Sequence, residues 1–238
     1  IHYALIDAGG IAPNVVQANA TVRYLIRSPD LPGLTPLVER VKKVAQGAAL
    51  MTETTVEAST LSAVSNLVPN TPLEAAMRRH LEVLGPPPFD AADRAFASAI
   101  QATYGPEEVA HALAPFEAAG LIEGPLCEAL VPAAARRASM SASTDVGDVS
   151  WVVPTVQMWG ANYAIGTPFH TWQMVAQGKS PAAHKGMVHA AKVMAAVAQQ
   201  AFAEPELIAE AGRDFARRTA KVPYVCPLPE ETQPPLDM

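Results

Sequence analysis

The chain has 238 residues, of which 50% are hydrophobic and 17% are charged, enough for one large domain or two ordinary ones and too apolar for a disordered protein. The formal net charge of −6 argues against a nucleic-acid-binding surface, which is usually basic. No apolar run approaches the roughly 18 to 20 residues that cross a bilayer. Neither nucleic acid nor membrane is therefore expected as a partner.

Two further features concern the context of the chain. The two cysteines, Cys127 and Cys226, are far apart and form no CxxC pattern, which favours a reducing, cytoplasmic location. The chain opens at Ile1 without a methionine, and its first residues read as the interior of a strand. We therefore expect either a processed product or a piece of a longer protein.

The first part of the chain has the pattern of a small sheet with one helix. Residues 1–7 are rich in β-forming residues, and residues 21–27 alternate with period two. Thr35 followed by Pro36 predicts a helix start, and the helix extends to about residue 48. Residues 52–60 are rich in β-branched residues and predict a third strand. An antiparallel sheet covered on one face by the helix is expected.

A change of pattern near residue 68 predicts a domain boundary, so that residues 1–67 and 68–238 form separate domains. The second domain is predicted to be α/β, with two short buried strands and several helices. The strands are expected at 150–158 and 161–165, and the helices at 71–85, 90–104, 106–119, 181–203 and up to about 218. An exposed loop is expected at 133–143. The apolar stripe of the long helix is predicted to contain Met187, Ala191, Met194 and Ala198.

His170 is the histidine whose context is most suggestive of a site. It follows a turn at residues 166–169, which comes after an apolar segment predicted to be a strand. Polar side chains just beyond the end of a buried strand are where α/β folds place ligands. On this pattern alone, a ligand-binding role and an ordinary surface histidine both stay open.

Two acidic and two further polar residues are candidates for binding. Asp145 and Asp148 lie three apart in a stretch of small and apolar residues, which fits a cation site and, equally, the first turn of a capped helix. Asn14 and Arg27 could together bind a carboxylate, since arginine offers a planar fork of donors. A turn asparagine and an arginine at the end of a strand explain the same pattern.

Five sequence blocks occur in an order typical of one enzyme family. They are GGIAPNVV at 9–16, GAALMT at 47–52, STDVGDVSW at 143–151, GTPFHTWQ at 166–173 and HKGM at 184–187. Together they resemble the dinuclear-metal aminoacylase and carboxypeptidase family, whose members are amidohydrolases. The resemblance extends over nearly the whole chain, but it corresponds only to the carboxyl-terminal half of a family member.

The resemblance implies a fold and an activity. Residues 1–67 would be a small α+β lid, or dimerisation, domain that is incomplete at its start, and residues 68–238 the carboxyl-terminal part of a phosphorylase/hydrolase-like α/β catalytic domain. Family members use two zinc or manganese ions to activate a water that hydrolyses an amide bond. The implied substrate is an N-acyl amino acid such as p-aminobenzoyl-glutamate. The implied assembly is a homodimer or a heterodimer with a paralogous subunit.

The resemblance also implies roles for individual residues. His170 would be the last metal ligand, and at most one ligand would come from this chain. Asn14 and Arg27 would grip the substrate carboxylate, Gly166 would lie against the substrate, and Asp145 and Asp148 would be acids near the site. The other metal ligands and the general base would lie upstream, so no catalytic residue is expected here. The alternative is a non-catalytic dimerisation or carboxylate-binding module.

Overall fold

The computed structural model describes residues 1–114, 120–132, 142–230 and 232. In these ranges the fold is α+β and mostly helical, with a single two-stranded antiparallel sheet. The elements are β1 (His2–Asp7), β2 (Thr21–Leu25), α1 (Leu31–Met51), α2 (Thr71–Leu84), α3 (Ala91–Gln101), α4 (Pro106–Leu113), α5 (Val146–Ser150), α6 (Trp172–Gln177), α7 (Pro181–Ala203) and α8 (Pro205–Thr219). No helix within the described ranges is both long enough and apolar enough to span a membrane.

The chain divides into two compact units. The first contains residues 1–67 with the described residues of 141–148 and 224–238, and the second contains the described residues of 68–140 and 149–223. The identification of residues 1–67 as a lid domain and of residues 68–238 as part of a catalytic domain stays a prediction.

The sheet of the first unit is formed by β1 and β2. Tyr3 pairs with Tyr24 and Leu5 with Val22, and the two tyrosine rings lie 6.0 Å apart. All six residues of β1 and all five residues of β2 are exposed, and α1 has no buried residue. The prediction that the helix covers one face of the sheet is therefore wrong for the described part of the chain.

Helix α1 begins earlier than the Thr35–Pro36 pattern predicts. The carboxylate Oδ1 of Asp30 accepts a hydrogen bond from the backbone N–H of Gly33 at 2.9 Å, so Asp30 is the N-cap. Pro32 occupies the first turn, where its missing N–H costs nothing, and Pro36 lies inside the helix. An acidic cap five residues upstream thus takes precedence over the Thr-Pro start signal.

The predicted third strand is absent: residues 54–60 have no regular secondary structure. The backbone at Thr52 instead continues the hydrogen-bonding of α1, since its N–H donates to the carbonyl of Ala48 at 3.2 Å. β-branched composition favours a strand only where a neighbouring strand can pair with it. Within the described residues, neither edge of the two-stranded sheet is paired with this segment.

The second unit is built around α2, α7 and α8, which pack against one another. Ala76 of α2 and Val193 of α7 have no accessible surface, and they belong to two neighbouring apolar clusters. One cluster contains Leu73, Ala76, Leu207 and Ala211; the other contains Met77, Val193 and Val197. The small alanines allow the helix axes to approach closely, so the core depends on shape as much as on side-chain volume.

Helix α7 has the predicted bounds but buries a different face. Met187 and Met194, predicted in the apolar stripe, are 60% and 61% exposed. The buried face instead consists of Ala182, Ala183, Gly186, His189, Val193 and Val197. His189 is accommodated because its Nε2 hydrogen-bonds to the carbonyl oxygen of Gly85 at 2.7 Å. Small residues and one partnered histidine thus pack inward, while the methionines face solvent.

The two strands predicted for the second unit are also absent. Residues 146–150 form α5, and the N–H groups of Val152 and Val153 both donate to the carbonyl of Val149, so the chain turns. Pro154 has no N–H for a sheet ladder. The N–H of Ile165 donates to the carbonyl of Pro125 at 2.9 Å, outside any strand pair. Because these strands are missing, the predicted α/β class is corrected to α+β.

The remaining helix predictions hold within the described ranges. Helices α2, α3 and α8 lie within one to three residues of the expected bounds. Helix α4 begins at Pro106 as predicted. The expected end of this helix at 115–119 and the expected loop at 133–143, except for its last two residues, lie outside the described residues.

A carboxylate pair at the start of α3 is neutralised by a lysine from α7. Asp90 is the N-cap of α3 and forms a capping box with Asp93. The Nζ of Lys185 donates to Oδ2 of Asp90 at 2.7 Å and to Oδ2 of Asp93 at 2.5 Å. The hydrogen bond from Lys185 is the main cause that lowers the pKa of Asp90 to about 2.

This pKa predicts a loss of stability in acid. A carboxyl group whose pKa falls on folding contributes stability that is complete above its unfolded pKa of 3.8 and is lost as the pH falls towards about 2. Asp90→Asn retains an N-cap residue but removes the charge. We expect the free energy of unfolding of this variant to fall less steeply than that of the parent between about pH 4 and pH 2, as measured by urea unfolding. Parallel pH profiles would contradict this assignment.

Candidate functional site

His170 lies in an exposed turn of the second unit. Its backbone φ of 61° is in the left-handed region, which non-glycine residues rarely adopt. Within the part of the chain that the structure describes, no side chain or backbone group forms a hydrogen bond with its imidazole. Strained backbone of this kind concentrates at functional sites because the surrounding structure must hold it in place. The imidazole is thus presented to solvent by a constrained backbone.

Two aromatic rings flank this histidine on the surface. Phe169 and Trp172 are 56% and 62% exposed. The ring of Phe169 contacts that of Tyr163 edge-on, with centroids 6.0 Å apart. The hydroxyl of Thr171 donates to the carbonyl of Pro168 at 2.7 Å and so closes the turn around His170. Exposed rings beside a polar side chain are typical of a binding surface.

The segment before the turn is fixed by hydrogen bonds to the carbonyl of Ile165. This oxygen accepts from the hydroxyl of Tyr104 at 2.8 Å and from Nε2 of Gln101 at 3.0 Å. Burial raises the pKa of Tyr104, which keeps its hydroxyl protonated as a donor. The apolar segment predicted as a strand is therefore held by side chains of α3 and the residues after it.

Gly166 is required by its contact with α4. Its φ is +83°, and a Cβ atom built on it would lie 2.9 Å from both N and Cα of Val109. Any side chain would therefore collide with backbone and strain the turn. In the described residues the close approach at Gly166 is to a helix of the same unit, and its predicted contact with substrate stays a prediction.

Asp148, in the first unit, uses its carboxylate to hold two other segments. Its Oδ2 accepts from the backbone N–H of Ser65 at 3.0 Å, and its Oδ1 accepts from the Ser65 hydroxyl at 2.6 Å and from the Tyr224 hydroxyl at 2.9 Å. Burial and the hydrogen bond to Asp148 raise the pKa of Tyr224 well above its usual range. Asp145 is exposed. The role of both aspartates as acids near the site stays a prediction.

We expect Asp148→Ala to destabilise the first unit by about 2–4 kcal/mol, because it leaves the buried Ser65 hydroxyl and N–H without their charged acceptor. Asp145→Ala is the matched control and should change stability by less than about 0.5 kcal/mol, since Asp145 is exposed. Urea unfolding measures both variants. Equal effects of the two substitutions would show that the Ser65 contacts contribute nothing.

Asn14 and Arg27 also belong to the first unit. Asn14 lies in the turn between β1 and β2, where the N–H of Val15 donates to the carbonyl of Ala12 at 3.3 Å. Arg27 follows the end of β2, and the side chains of both residues are exposed. Their joint binding of a carboxylate stays a prediction.

The described ranges contain no group of three or more histidine, cysteine, aspartate or glutamate side chains that could hold a metal ion. His170 fits the role of one ligand, since its imidazole is exposed and makes no hydrogen bond to the described residues. A complete metal site needs about three to four ligands. That the other ligands lie upstream of this chain stays a prediction.

Comparison with known proteins identifies two relatives. The chain is 43% identical over 244 residues to a subunit of the p-aminobenzoyl-glutamate hydrolase of Escherichia coli (strain K12), in a match that covers 98% of the chain and 51% of the relative. It is 25% identical over 216 residues to the Xaa-Arg dipeptidase of Mus musculus, covering 90% of the chain and 40% of that protein. No protein-family model matches the chain. No solved structure matches it. The predicted resemblance to amidohydrolases and peptidases is thereby confirmed, while the two metal ions stay a prediction; the chain spans about half the length of the first relative and about two fifths of the second.

Proposed function

We propose that this chain forms part of a metal-dependent amidohydrolase that cleaves the amide bond of an N-acyl amino acid, with p-aminobenzoyl-glutamate as the first candidate. The observation that carries this proposal is the 43% identity over 98% of the chain to a p-aminobenzoyl-glutamate hydrolase subunit. The strained, exposed turn at His170 supports it, because His170 is the residue to which the family resemblance assigns a metal.

The chain would contribute a metal ligand and a substrate clamp. The imidazole of His170 would coordinate one of two zinc or manganese ions through a ring nitrogen. Such ions, when bound, lower the pKa of a water molecule and polarise the carbonyl of the scissile amide. The guanidinium of Arg27 and the amide of Asn14 would orient the substrate by hydrogen bonds to its carboxylate, since arginine binds carboxylates in a bidentate manner.

Gly166 would form the backbone wall beside the substrate, and Asp145 and Asp148 would add negative charge near the site. Because one relative is named as a subunit, we further propose that the active protein contains a second polypeptide, either an identical or a paralogous chain. The general base and the remaining metal ligands would lie in the half of the longer relatives that this chain does not match.

The test follows release of p-aminobenzoate in the presence of Mn²⁺ or Zn²⁺. The chain is assayed alone and together with a polypeptide that supplies the half of the Escherichia coli hydrolase subunit that this chain does not match. We expect release only from the assembled protein. Absence of release, with metal bound to that protein, would contradict the proposed substrate.

A parallel assay separates the two substrate classes that the relatives suggest. A dipeptide that ends in arginine is offered in place of p-aminobenzoyl-glutamate. If only the arginine dipeptide is cleaved, the proposed amide hydrolysis is right but the proposed substrate is wrong. Glutamate binding that depends on Arg27, without cleavage of either compound, would instead favour the non-catalytic carboxylate-binding module.

A further inference from the structure

We infer that Gln177 and Thr167 are positioning residues for His170, an inference that rests on the proposed role of His170 as a metal ligand. The side chains of Gln177 and Thr167 lie in the protein interior, with only 3% and 5% of their residue surfaces accessible. Gln177 is the last residue of α6, the helix that begins two residues after His170. Thr167 lies three residues before His170, so the pair spans the turn from both sides.

The amide group of Gln177 joins these two sides. Its Oε1 accepts from the backbone N–H of Ala164 at 2.7 Å, and its Nε2 donates to Oγ1 of Thr167 at 3.0 Å and to the carbonyl of Gln173 at 3.0 Å. Because the N–H of Ala164 can only donate, the amide oxygen must face it, which fixes the orientation of the whole group. No other placement of this amide satisfies all three partners.

Thr167 completes the connection. Its hydroxyl donates to the carbonyl of Ala164 at 2.6 Å while it accepts from Gln177, so both its proton and a lone pair are used. Its backbone N–H donates to the same carbonyl at 3.2 Å. The N–H and the carbonyl of Ala164 are thereby both bound within this network. The backbone before the His170 turn, at residues 164–167, is thereby hydrogen-bonded to the last residue of α6, the helix that follows the turn.

This connection explains how His170 keeps a left-handed backbone. An L residue in that region relaxes unless its neighbours are held on both sides. The network holds residues 164–167 on one side, and α6 holds the chain from residue 172 on the other. Metal ligands must sit within a few tenths of an ångström of their ideal distance. Loss of the network would therefore displace the imidazole without removing it.

The experiment uses the assembled protein and compares Mn²⁺ affinity with steady-state kinetics. Gln177→Leu removes the hydrogen bonds at nearly constant volume, and Thr167→Val removes the hydroxyl. We expect each variant to bind Mn²⁺ about 10–100-fold more weakly and to lose kcat by a similar factor, while KM changes by less than about 3-fold. Thr167→Ser retains the hydroxyl and should retain parental Mn²⁺ affinity. If Gln177→Leu does not fold, the two Thr167 variants decide the outcome.

Asn70→Ala is the control for a purely structural effect. Asn70 is 2% exposed, caps α2 and donates from Nδ2 to the carbonyl of Ala211 at 2.9 Å; it lies in the same unit and has no hydrogen bond to the described residues of the His170 turn. It should lower the unfolding temperature without changing Mn²⁺ affinity. Equal weakening of Mn²⁺ binding by Asn70→Ala and Gln177→Leu would overturn the inference.

His170→Ala distinguishes failure of the inference from failure of the proposed function. If His170→Ala weakens Mn²⁺ binding while Gln177→Leu and Thr167→Val do not, only the positioning role is wrong. If His170→Ala leaves Mn²⁺ affinity unchanged, the proposed ligand is wrong and the positioning role falls with it.

Discussion

Replacement of His170 by alanine is expected to lower kcat for p-aminobenzoyl-glutamate hydrolysis by at least about 100-fold, the upper end of what loss of a supporting residue around a metal costs. The reason is that one ion would lose a protein ligand, and the described ranges contain no group of three or more histidine, cysteine, aspartate or glutamate side chains that could hold the ion instead. The assay is release of p-aminobenzoate by the assembled protein at saturating Mn²⁺.

The matched control is His184→Ala. His184 is an exposed histidine of α7, in the same unit, and the family resemblance assigns it no metal. We expect parental activity from this variant. Activity of His170→Ala within about 3-fold of the parent would contradict the proposed ligand.

A second substitution at the same position separates stability from activity. Glycine adopts a positive φ without steric cost, so His170→Gly should stabilise the protein by about 0.5–1 kcal/mol while removing the imidazole. A protein that is more stable and less active is the expected signature of strain retained for function. A destabilised His170→Gly variant would show that the imidazole contributes to folding.

Local signals in the sequence predict most of the helices and both strands of the sheet, β1 and β2, but they also predict three strands that are absent, at 52–60, 150–158 and 161–165. Ser180 followed by Pro181 places the start of α7, and the Ser180 hydroxyl accepts from the N–H of Ala183 at 3.1 Å as a cap should. Strand formation depends instead on a distant partner. The N–H of Ala164 is bound by the side chain of Gln177, a contact that no local pattern around residues 161–165 contains.

The same distinction applies to the candidate site. His170 can be selected from sequence because a turn and a nearby polar ring are local features. Gln177 and Tyr104 cannot, since their significance arises from hydrogen bonds to Thr167 and Ile165 that only the folded chain creates.

The prediction of the buried face of α7 fails for a related reason. Alanine is apolar on every face of that helix, so the choice of face depends on which residues are small enough for the neighbouring chain.

Gly186 of α7 is a further residue whose replacement is expected to have a large effect on stability. A Cβ atom built on it would lie 2.2 Å from the carbonyl oxygen of Ala161 and 2.5 Å from Cβ of Asn162. Because the nearest atom is backbone, it cannot move aside as a flexible side chain would. We expect Gly186→Ala to lower the free energy of unfolding by about 2–3 kcal/mol, even though alanine is the better helix former by about 1 kcal/mol. Urea unfolding of the chain measures the change.

Gly212→Ala in α8 tests the same substitution without the collision. A Cβ atom at Gly212 meets nothing within 4 Å, so this variant should gain about 0.5–1 kcal/mol from helix propensity alone. Opposite signs for the two variants would assign the glycine of the HKGM block to helix packing. Its neighbour Lys185 pairs with Asp90 and Asp93, so two residues of this block have structural partners in the second unit. If Gly186→Ala were as stable as Gly212→Ala, the backbone at Ala161 would have to move to accommodate the added Cβ atom. Packing would then not explain why a glycine occupies position 186.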